Sequence, residues 1–415
     1  MKEPEARNDY HSLLGLHHSM LLRRSMRGGG RGIGDPAERS AMLLDGWPQR
    51  LSDQRMMQDS LSIVEPFGDT LMYVYTVLFR DSPHLRSLFP DSIVAQRDQL
   101  SASMRRLIGD LHRPDVVVPY FQQLGQAHRR LGVRAAHFQP FGDALLEALR
   151  TRAGGAWRSA YDQAWQRAYH FVTRVMSDAA QAALSAPPYV TATVVHHQQA
   201  GPDLAVIRVR PAQPYPYVAG QYATIESPYL PHNWRCYSMA DPPGPDNMVE
   251  FHVRATGAGR LSDVLVNKVT VGDELRLAPA RGMMTLAGTA AKGVLLVAGG
   301  TGLAPIRALL GELARQPSPP PTRLFFGART FGEIYELELL DSYAARYPWL
   351  QVVRAVAEGA AYPYESGTVV DVVTRRGSWA GHHAYLSGPA GMVTALAGRL
   401  AGLGVDPDDI RYDPQ

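Results

Sequence analysis

The sequence predicts a multidomain chain with three folded parts: an all-α region, a small antiparallel β-barrel and an α/β nucleotide-binding region, preceded by a basic extension. Three observations predict it. Apolar residues recur at helical spacing from about Ser52 to Ala186, and after Pro187-Pro188 the period changes from 3.6 to 2. Short strand-like runs divided by Pro, Gly and Asn turns follow. From Gly293 an apolar run, V-L-L-V-A, enters G-G-T-G and a helix, which is the βα unit of an open sheet. The expected boundaries are 1–51 for the extension, then 52–186, 187–288 and 289–415.

With 415 residues, 45% of them hydrophobic, the chain can fill several cores. Its net charge of +3 implies no broad field for nucleic acid. The single cysteine, Cys236, excludes an intramolecular disulfide, a four-cysteine zinc site and a cysteine-ligated iron–sulfur cluster. No apolar run reaches the roughly 18 residues of a membrane span. Arg23-Arg24 is followed by Gly28-Gly29-Gly30-Arg31-Gly32 where an export signal needs an apolar stretch, so a cytoplasmic protein is expected. Residues 1–51 carry scattered leucines and four arginines between Arg23 and Arg31, too little apolar surface to offset ordering entropy, and read as a disordered basic extension.

In the helical part, stops fall at Pro66, Pro83, Pro114, Gly132 and Gly154-Gly155. Phe67, Leu71, Tyr75 and Leu78 form one stripe; Gln96, Leu100, Met104, Leu107 and Leu111 a second; Phe121, Leu124, His128 and Leu131 a third. Trp157, Tyr161, Trp165 and Tyr169 predict a long aromatic-rich helix. A histidine on an apolar stripe is more often a core residue than a ligand, and backbone partners can satisfy Tyr75 and Gln96.

Together, however, Val74 to Pro90 (V-Y-T-V-L-F-R-D-S-P-H-L-R-S-L-F-P), Gln96 to Leu100 and Leu124 to Val133 (L-G-Q-A-H-R-R-L-G-V) resemble the globin domain of flavohaemoglobins. The resemblance implies that His128 is the proximal iron ligand of haem b, Tyr75 and Gln96 the distal hydrogen-bonding pair of the catalytic site, and Phe89 an aromatic wedge against the porphyrin. A neutral imidazole binds iron, and a phenol and an amide supply hydrogen bonds on the opposite side. The family usually places a tyrosine and a glutamate behind the proximal histidine. Phe138 and Ala182 stand at the matching positions here, which implies weaker electron donation by His128.

In the barrel, strands are expected at Val190 to Val195, Leu204 to Arg210, Gln221 to Ser227, Trp234 to Met239, Met248 to Arg254 and Glu274 to Pro279. The fourth carries Arg235-Cys236-Tyr237-Ser238 and ends at the turn Asp241-Pro242-Pro243-Gly244. Arg235 and Tyr237 point to one side of such a strand, with the Ser238 hydroxyl next to them; alone, this is an ordinary solvated face. G-A-G-R-L-S-D-V-L with Gly259 and Ser262, L-L-V-A-G-G-T-G-L-A-P from Leu295 to Pro305, and S-G-P-A-G-M from Ser387 follow in order. From Pro188 onward this series resembles the ferredoxin-reductase-like module, a flavin barrel followed by a nicotinamide-nucleotide domain.

That resemblance implies Tyr222 of Gly220-Gln221-Tyr222 near the flavin, Arg235 on its phosphates, Tyr237 on the isoalloxazine or ribityl, and Ser238 near the reactive ring nitrogen. It also implies a pyrophosphate, hence FAD, at Gly259 and Ser262 on a helix N-terminus; Ser262 is equally a plain N-cap. Gly299, Gly300, Thr301 and Gly302 let a dinucleotide approach the backbone, and Gly388 and Pro389 belong to the same cofactor site. Arg329 suits a 2′-phosphate, but Glu333 nearby repels one, so NADH is expected over NADPH. Ser387 stands where the family has a cysteine, and Tyr412-Asp413-Pro414-Gln415 stands short of the usual flavin-shielding aromatic.

The expected activity is electron transfer from NAD(P)H through FAD to haem, with dioxygen and nitric oxide as substrates and nitrate as product. Alternatives are a flavin oxidoreductase acting on an organic donor or quinone with haem as relay, and a haem-based gas sensor coupled to a reductase. No nucleic acid, no membrane span and a monomer or weak dimer are expected.

Overall fold

The structure is a computed structural model that describes residues 47–257, 259–286, 292–360 and 362–413. It divides the described chain into two compact units, one ending at Pro188 and the other starting at Tyr189. Most of the predicted extension lies outside the described residues. Its last part is folded: Trp47 is buried in the helical core and donates its indole N–H to Asp53 at 2.6 Å.

The first unit contains α1 (Arg50–Ile63), α2 (Phe67–Asp81), α3 (Val94–Asp110), α4 (Pro114–Arg129), α5 (Phe138–Ala153) and α6 (Ser159–Ala182). Pro66 and Pro114 begin helices because proline lacks the N–H that a first turn leaves unused, and Gly154 ends α5 at φ +53°. The stripe residues Phe67, Leu71, Tyr75 and Leu78 are all buried on α2. Leu131 lies beyond α4, and Trp157 precedes α6, where its indole reaches Asp162 at 3.2 Å instead of joining the helical stripe. Helices α4 and α6 cross with their backbones in contact. A Cβ on Gly125 would lie 2.2 Å from the Met176 carbonyl oxygen. At one side of this core the buried Asp53 carboxylate receives a two-pronged Arg167 guanidinium (2.7 and 2.8 Å), tying α1 to α6.

The second unit opens with six antiparallel strands: β1 (Val190–Gly201), β2 (Leu204–Pro211), β3 (Tyr222–Glu226), β4 (Arg235–Ser238), β5 (Val249–Arg254) and β6 (Glu274–Leu277). Their order is β4-β3-β6-β1-β2-β5. A bridge between Met239 and Phe251, with Ala240 N–H donating to the Glu250 carbonyl at 2.8 Å, joins the two outer strands and closes the barrel. The short helix α7 (Leu261–Asn267) packs on β5.

The α/β part is a wholly parallel sheet of order β10-β9-β8-β7-β11-β12, built from β7 (Gly293–Gly299), β8 (Thr322–Ala328), β9 (Leu350–Val356), β10 (Glu365–Ser366), β11 (His382–Ser387) and β12 (Ile410–Arg411). The helices α8 (Leu303–Leu313), α9 (Leu337–Arg346), α10 (Val369–Arg375) and α11 (Ala390–Gly402) cover it. Strands β9, β10 and β12 were not expected. Two are only two residues long, and β9 carries a mixed pattern, Leu350 to Val356. No helix among the described residues is long and apolar enough to cross a membrane.

The α4–α6 crossing gives a direct test. Gly125→Ala should destabilise the helical unit by about 2 kcal/mol, because the backbones must separate to admit a methyl group. Gly109→Ala, where a Cβ meets open space, should not destabilise. Thermal melts followed by far-ultraviolet circular dichroism compare the two.

Candidate functional site

In the helical unit, Tyr75, Phe89 and His128 share one aromatic wall. The Tyr75 ring lies 5.6 Å from Phe89 and 6.2 Å from Phe141, and Phe141 stacks on Tyr169 at 6.4 Å. The Tyr169 hydroxyl donates to the Phe138 carbonyl at 2.6 Å, and the Phe138 ring lies 6.4 Å from His128. His128 stands in the last turn of α4, its Nδ1 bonded to the Leu124 carbonyl at 2.8 Å. Burial pushes its pKa below the usual 6.5 and Arg130 pushes the same way, against the Leu124 carbonyl; the ring is therefore neutral at pH 7. Nδ1 carries the proton that Leu124 accepts, which leaves Nε2 a bare lone pair with no recorded partner.

Gln96 sits in the first turn of α3, the helix packed against α2, and its buried Oε1 has no hydrogen-bond partner. An orphaned amide oxygen and a neutral, oriented imidazole fit a haem group. Burial raises the Tyr75 phenol, so it is a donor. Phe138 is beside His128, as expected. Ala182 is not: it ends α6 exposed to solvent, while α6 meets α4 at Met176. The expectation that Ala182 backs the histidine is corrected; among the described residues, the His128 Nδ1 bonds the Leu124 carbonyl.

On the barrel, β4 pairs with β3 in the register Tyr222 to Ser238, Ala223 to Tyr237 and Ile225 to Arg235. Arg235 and Tyr237 therefore share a face, Arg235 exposed and Tyr237 half-buried, whereas Ser238 is buried on the opposite face with Tyr222. Arg235 is anchored by its own neighbour, donating to the Trp234 carbonyl at 2.8 Å. Gly220, at φ +92°, is required by the chain path: a Cβ would fall 1.9 Å from the Met284 carbonyl oxygen. Gly259 has φ +76° and open space around it, room for a phosphate to reach the backbone. Ser262 is not an N-cap. Arg260 holds that position, and the buried Ser262 hydroxyl bonds the Thr256 hydroxyl at 2.9 Å and its N–H at 3.2 Å.

In the sheet, Gly299-Gly300-Thr301-Gly302 and Ser387-Gly388-Pro389 stand at the carboxyl ends of the adjacent strands β7 and β11, where the strand order reverses. That crevice is where open α/β sheets take nucleotides. A Cβ on Gly302 would lie 2.2 Å from the Ser387 carbonyl oxygen, so the loops touch, while Gly300 at φ +54° faces open space. Arg329 follows β8, and its guanidinium is held by Glu333 at 2.9 Å. A cavity of about 230 Å³ lies instead at the amino ends of β8 and β9, lined by Thr322, Arg323, Trp349 and His382 among others; its position sets it apart from these loops. Tyr412 is buried in the sheet core, and Asp413 accepts the Met283 and Met284 N–H groups at 2.9 and 3.2 Å.

The globin family profile matches residues 73–176 and the oxidoreductase NAD-binding domain profile matches 296–397. A flavohemoprotein of Bordetella parapertussis is 25% identical over 381 residues, spanning 84% of this chain and 94% of its own length. The chain carries a globin domain and an oxidoreductase NAD-binding domain. It is similar along most of its length to flavohemoproteins, and it is an NAD(P)H-dependent oxidoreductase. A ferredoxin–NAD(P)+ reductase component of a naphthalene 1,2-dioxygenase/salicylate 5-hydroxylase system from Ralstonia is 37% identical over 226 residues, covering 54% of this chain and 68% of that protein. The crystal structure of a flavohemoglobin from Malassezia yamatoensis shares the fold with a TM-score of 0.71 at 18% identity, over 87% of this chain and 98% of that one.

Sequence reasoning missed one cluster in the reductase unit. Arg307, on α8, pairs with Asp241 (2.6 Å), Glu250 (2.7 Å) and Glu336 (3.3 Å). The phenol of Tyr335 meets His252 Nδ1 at 2.8 Å, and His252 Nε2 lies 3.3 Å from Glu250. Arg208 holds the other Glu250 oxygen at 2.6 Å. The available signal was a charge, Arg307, within the apolar first half of its helix. Burial alone would raise the Glu250 pKa, but the His252 hydrogen bond and the Arg307 and Arg208 charges hold it at about 2, below the ordinary 4.5. A depressed carboxylate pKa adds stability that is complete above 4.5 and lost as pH falls through about 2. Wild-type protein should therefore lose more melting temperature than Glu250→Gln across that window; parallel curves would contradict the assignment.

Proposed function

We propose that this chain passes electrons from NADH through FAD to haem and consumes nitric oxide and dioxygen to give nitrate. The observation that carries the reading is His128, whose Nδ1 is committed to Leu124 and whose Nε2 lone pair is left for a metal, in one chain with a reductase unit. The Bordetella flavohemoprotein and the Malassezia flavohemoglobin, with its bound FAD and heme, support it. When bound, the nicotinamide supplies electron pairs, the flavin divides them into single electrons and the haem offers an oxygen-binding iron. The chain supplies position and charge. His128 holds the iron, Tyr75 donates a hydrogen bond on the distal side with Gln96, and Phe89 packs against the porphyrin. Arg235 neutralises flavin phosphate, Tyr237 backs the flavin, Ser238 and Tyr222 approach it from the other strand face, and Gly259 and Ser262 line the pyrophosphate. Gly299, Gly300, Thr301, Gly302, Gly388 and Pro389 receive the nicotinamide nucleotide.

Without a carboxylate or phenol on its Nδ1, His128 stays an ordinary neutral imidazole, which gives little push toward oxygen–oxygen cleavage. We place the protein in the cytoplasm as a monomer or weak dimer. The 37% identity of the reductase half to a dioxygenase-system reductase favours a second reading, a reductase gated by its globin.

On one preparation, NADH-dependent nitric oxide consumption with equimolar nitrate should be fast and peroxide turnover slow. His128→Ala should lose the Soret band and keep its flavin; an unchanged Soret band, or rapid peroxidase turnover, rejects this proximal side. Nitrate absent, with NADH oxidation controlled by globin ligands, selects the second reading.

Glu333 occupies Arg329 and would repel a 2′-phosphate, which favours NADH. Glu333→Gln should free Arg329 and raise the NADPH to NADH ratio of kcat/KM on the order of fivefold, the scale of one exposed charge pair. A wild-type preference for NADPH would reverse the assignment.

A further inference from the structure

The buried cluster around Arg307 lies between the two parts of the reductase unit, and its members stand a few residues from both cofactor-binding motifs. On the barrel side, β4 ends at Ser238 and runs through Met239 and Ala240, both bonded to β5, directly to Asp241. On the sheet side, α8 starts immediately after the Gly300–Gly302 turn and carries Arg307 in its second turn. The Arg307–Asp241 pair at 2.6 Å therefore spans from the end of the flavin strand to the helix that begins at the nucleotide turn. Strand β5 completes the connection. Its Val249, Phe251 and Val253 face the barrel core, its Glu250 and His252 are buried on the outer side, and the strand lies against the 300–302 turn.

We infer that Arg307 and Asp241 are positioning residues that fix the nicotinamide-binding turn relative to the flavin strand, and thereby set the rate at which the nicotinamide reduces the flavin. The inference rests on the FAD and nicotinamide sites proposed above and adds residues that touch neither cofactor. A rigid strut matters here because reaction rates fall steeply with misplacement: about 1 Å can cost on the order of a hundredfold. Loops alone would not hold such a distance. The surrounding groups explain why the strut is stiff. Glu250 and Glu336 take the other sides of the guanidinium, Arg208 and His252 satisfy Glu250, and Tyr335 satisfies His252, so each charge has a fixed partner.

The test uses the full chain loaded with FAD, mixed rapidly with NADH without oxygen, following flavin bleaching and the long-wavelength charge-transfer band of nicotinamide stacked on flavin. Asp241→Asn and Arg307→Lys should slow bleaching per bound FAD by about tenfold or more and weaken the band. FAD content and half-saturating NADH should stay within about twofold, the expectation for a residue outside both binding sites. Glu312→Gln, which breaks an exposed pair with Arg315 on the same helix, should behave as wild type. Asp241 is half-exposed, so its variant remains informative if Arg307→Lys folds poorly. Lower melting temperatures with unchanged bleaching and an unchanged band in the FAD-loaded fraction would show a merely structural role and overturn the inference. If wild-type flavin were not bleached by NADH at all, the nicotinamide assignment itself would fall, and the inference with it.

Discussion

A guanidinium with a tenth of its side chain exposed, ringed by three carboxylates, is what the reductase unit depends on. Burying Arg307 is unfavourable in itself, and Asp241, Glu250 and Glu336 offset the penalty only because each approaches within 3.3 Å. Such a cluster gives little net stability over an apolar replacement, yet losing Arg307 is costly, since it removes a counter-charge from three carboxylates at once. The barrel and the sheet are thus joined by a contact that tolerates no sliding. An apolar interface of the same size would be slippery by comparison.

The second constraint is backbone contact at glycine. Gly302 against Ser387 brings two strand-end loops together at the nucleotide crevice, and Gly125 against Met176 lets α4 and α6 cross closely beneath His128. In both places the absent side chain is the structural element. The crossing fixes the axis of α4, and the Leu124 carbonyl fixes the ring on it, so the direction of His128 follows from two backbone features without a supporting carboxylate.

Much of this was legible in the sequence because it depends on local chemistry. Proline and glycine stops delimit the helices, the period change falls at Pro187-Pro188, and the paired strands of the barrel lie within a residue or two of their expected spans, apart from the extended end of β1. What could not be read depends on partners distant in sequence. Arg307 acquires its meaning only from Asp241, 66 positions away, and Glu250. Ser262 looks like a cap until Thr256 is seen to occupy its hydroxyl. Ala182 was placed behind the histidine by the family resemblance, whereas the structure leaves it exposed at the end of α6. Strands β9, β10 and β12 carry too few residues, or too mixed a pattern, to announce themselves.

The bridge from Met239 to Phe251 bears on how these molecules meet one another. By joining the end of β4 to β5 it covers part of the two edges that six antiparallel strands would otherwise present. The parallel sheet ends on β10 and β12, each two residues long. Among the described residues, the backbone left without a strand partner on one side lies in parts of strands, among them the end of β1 past Val194 and the start of β9 before Ala355.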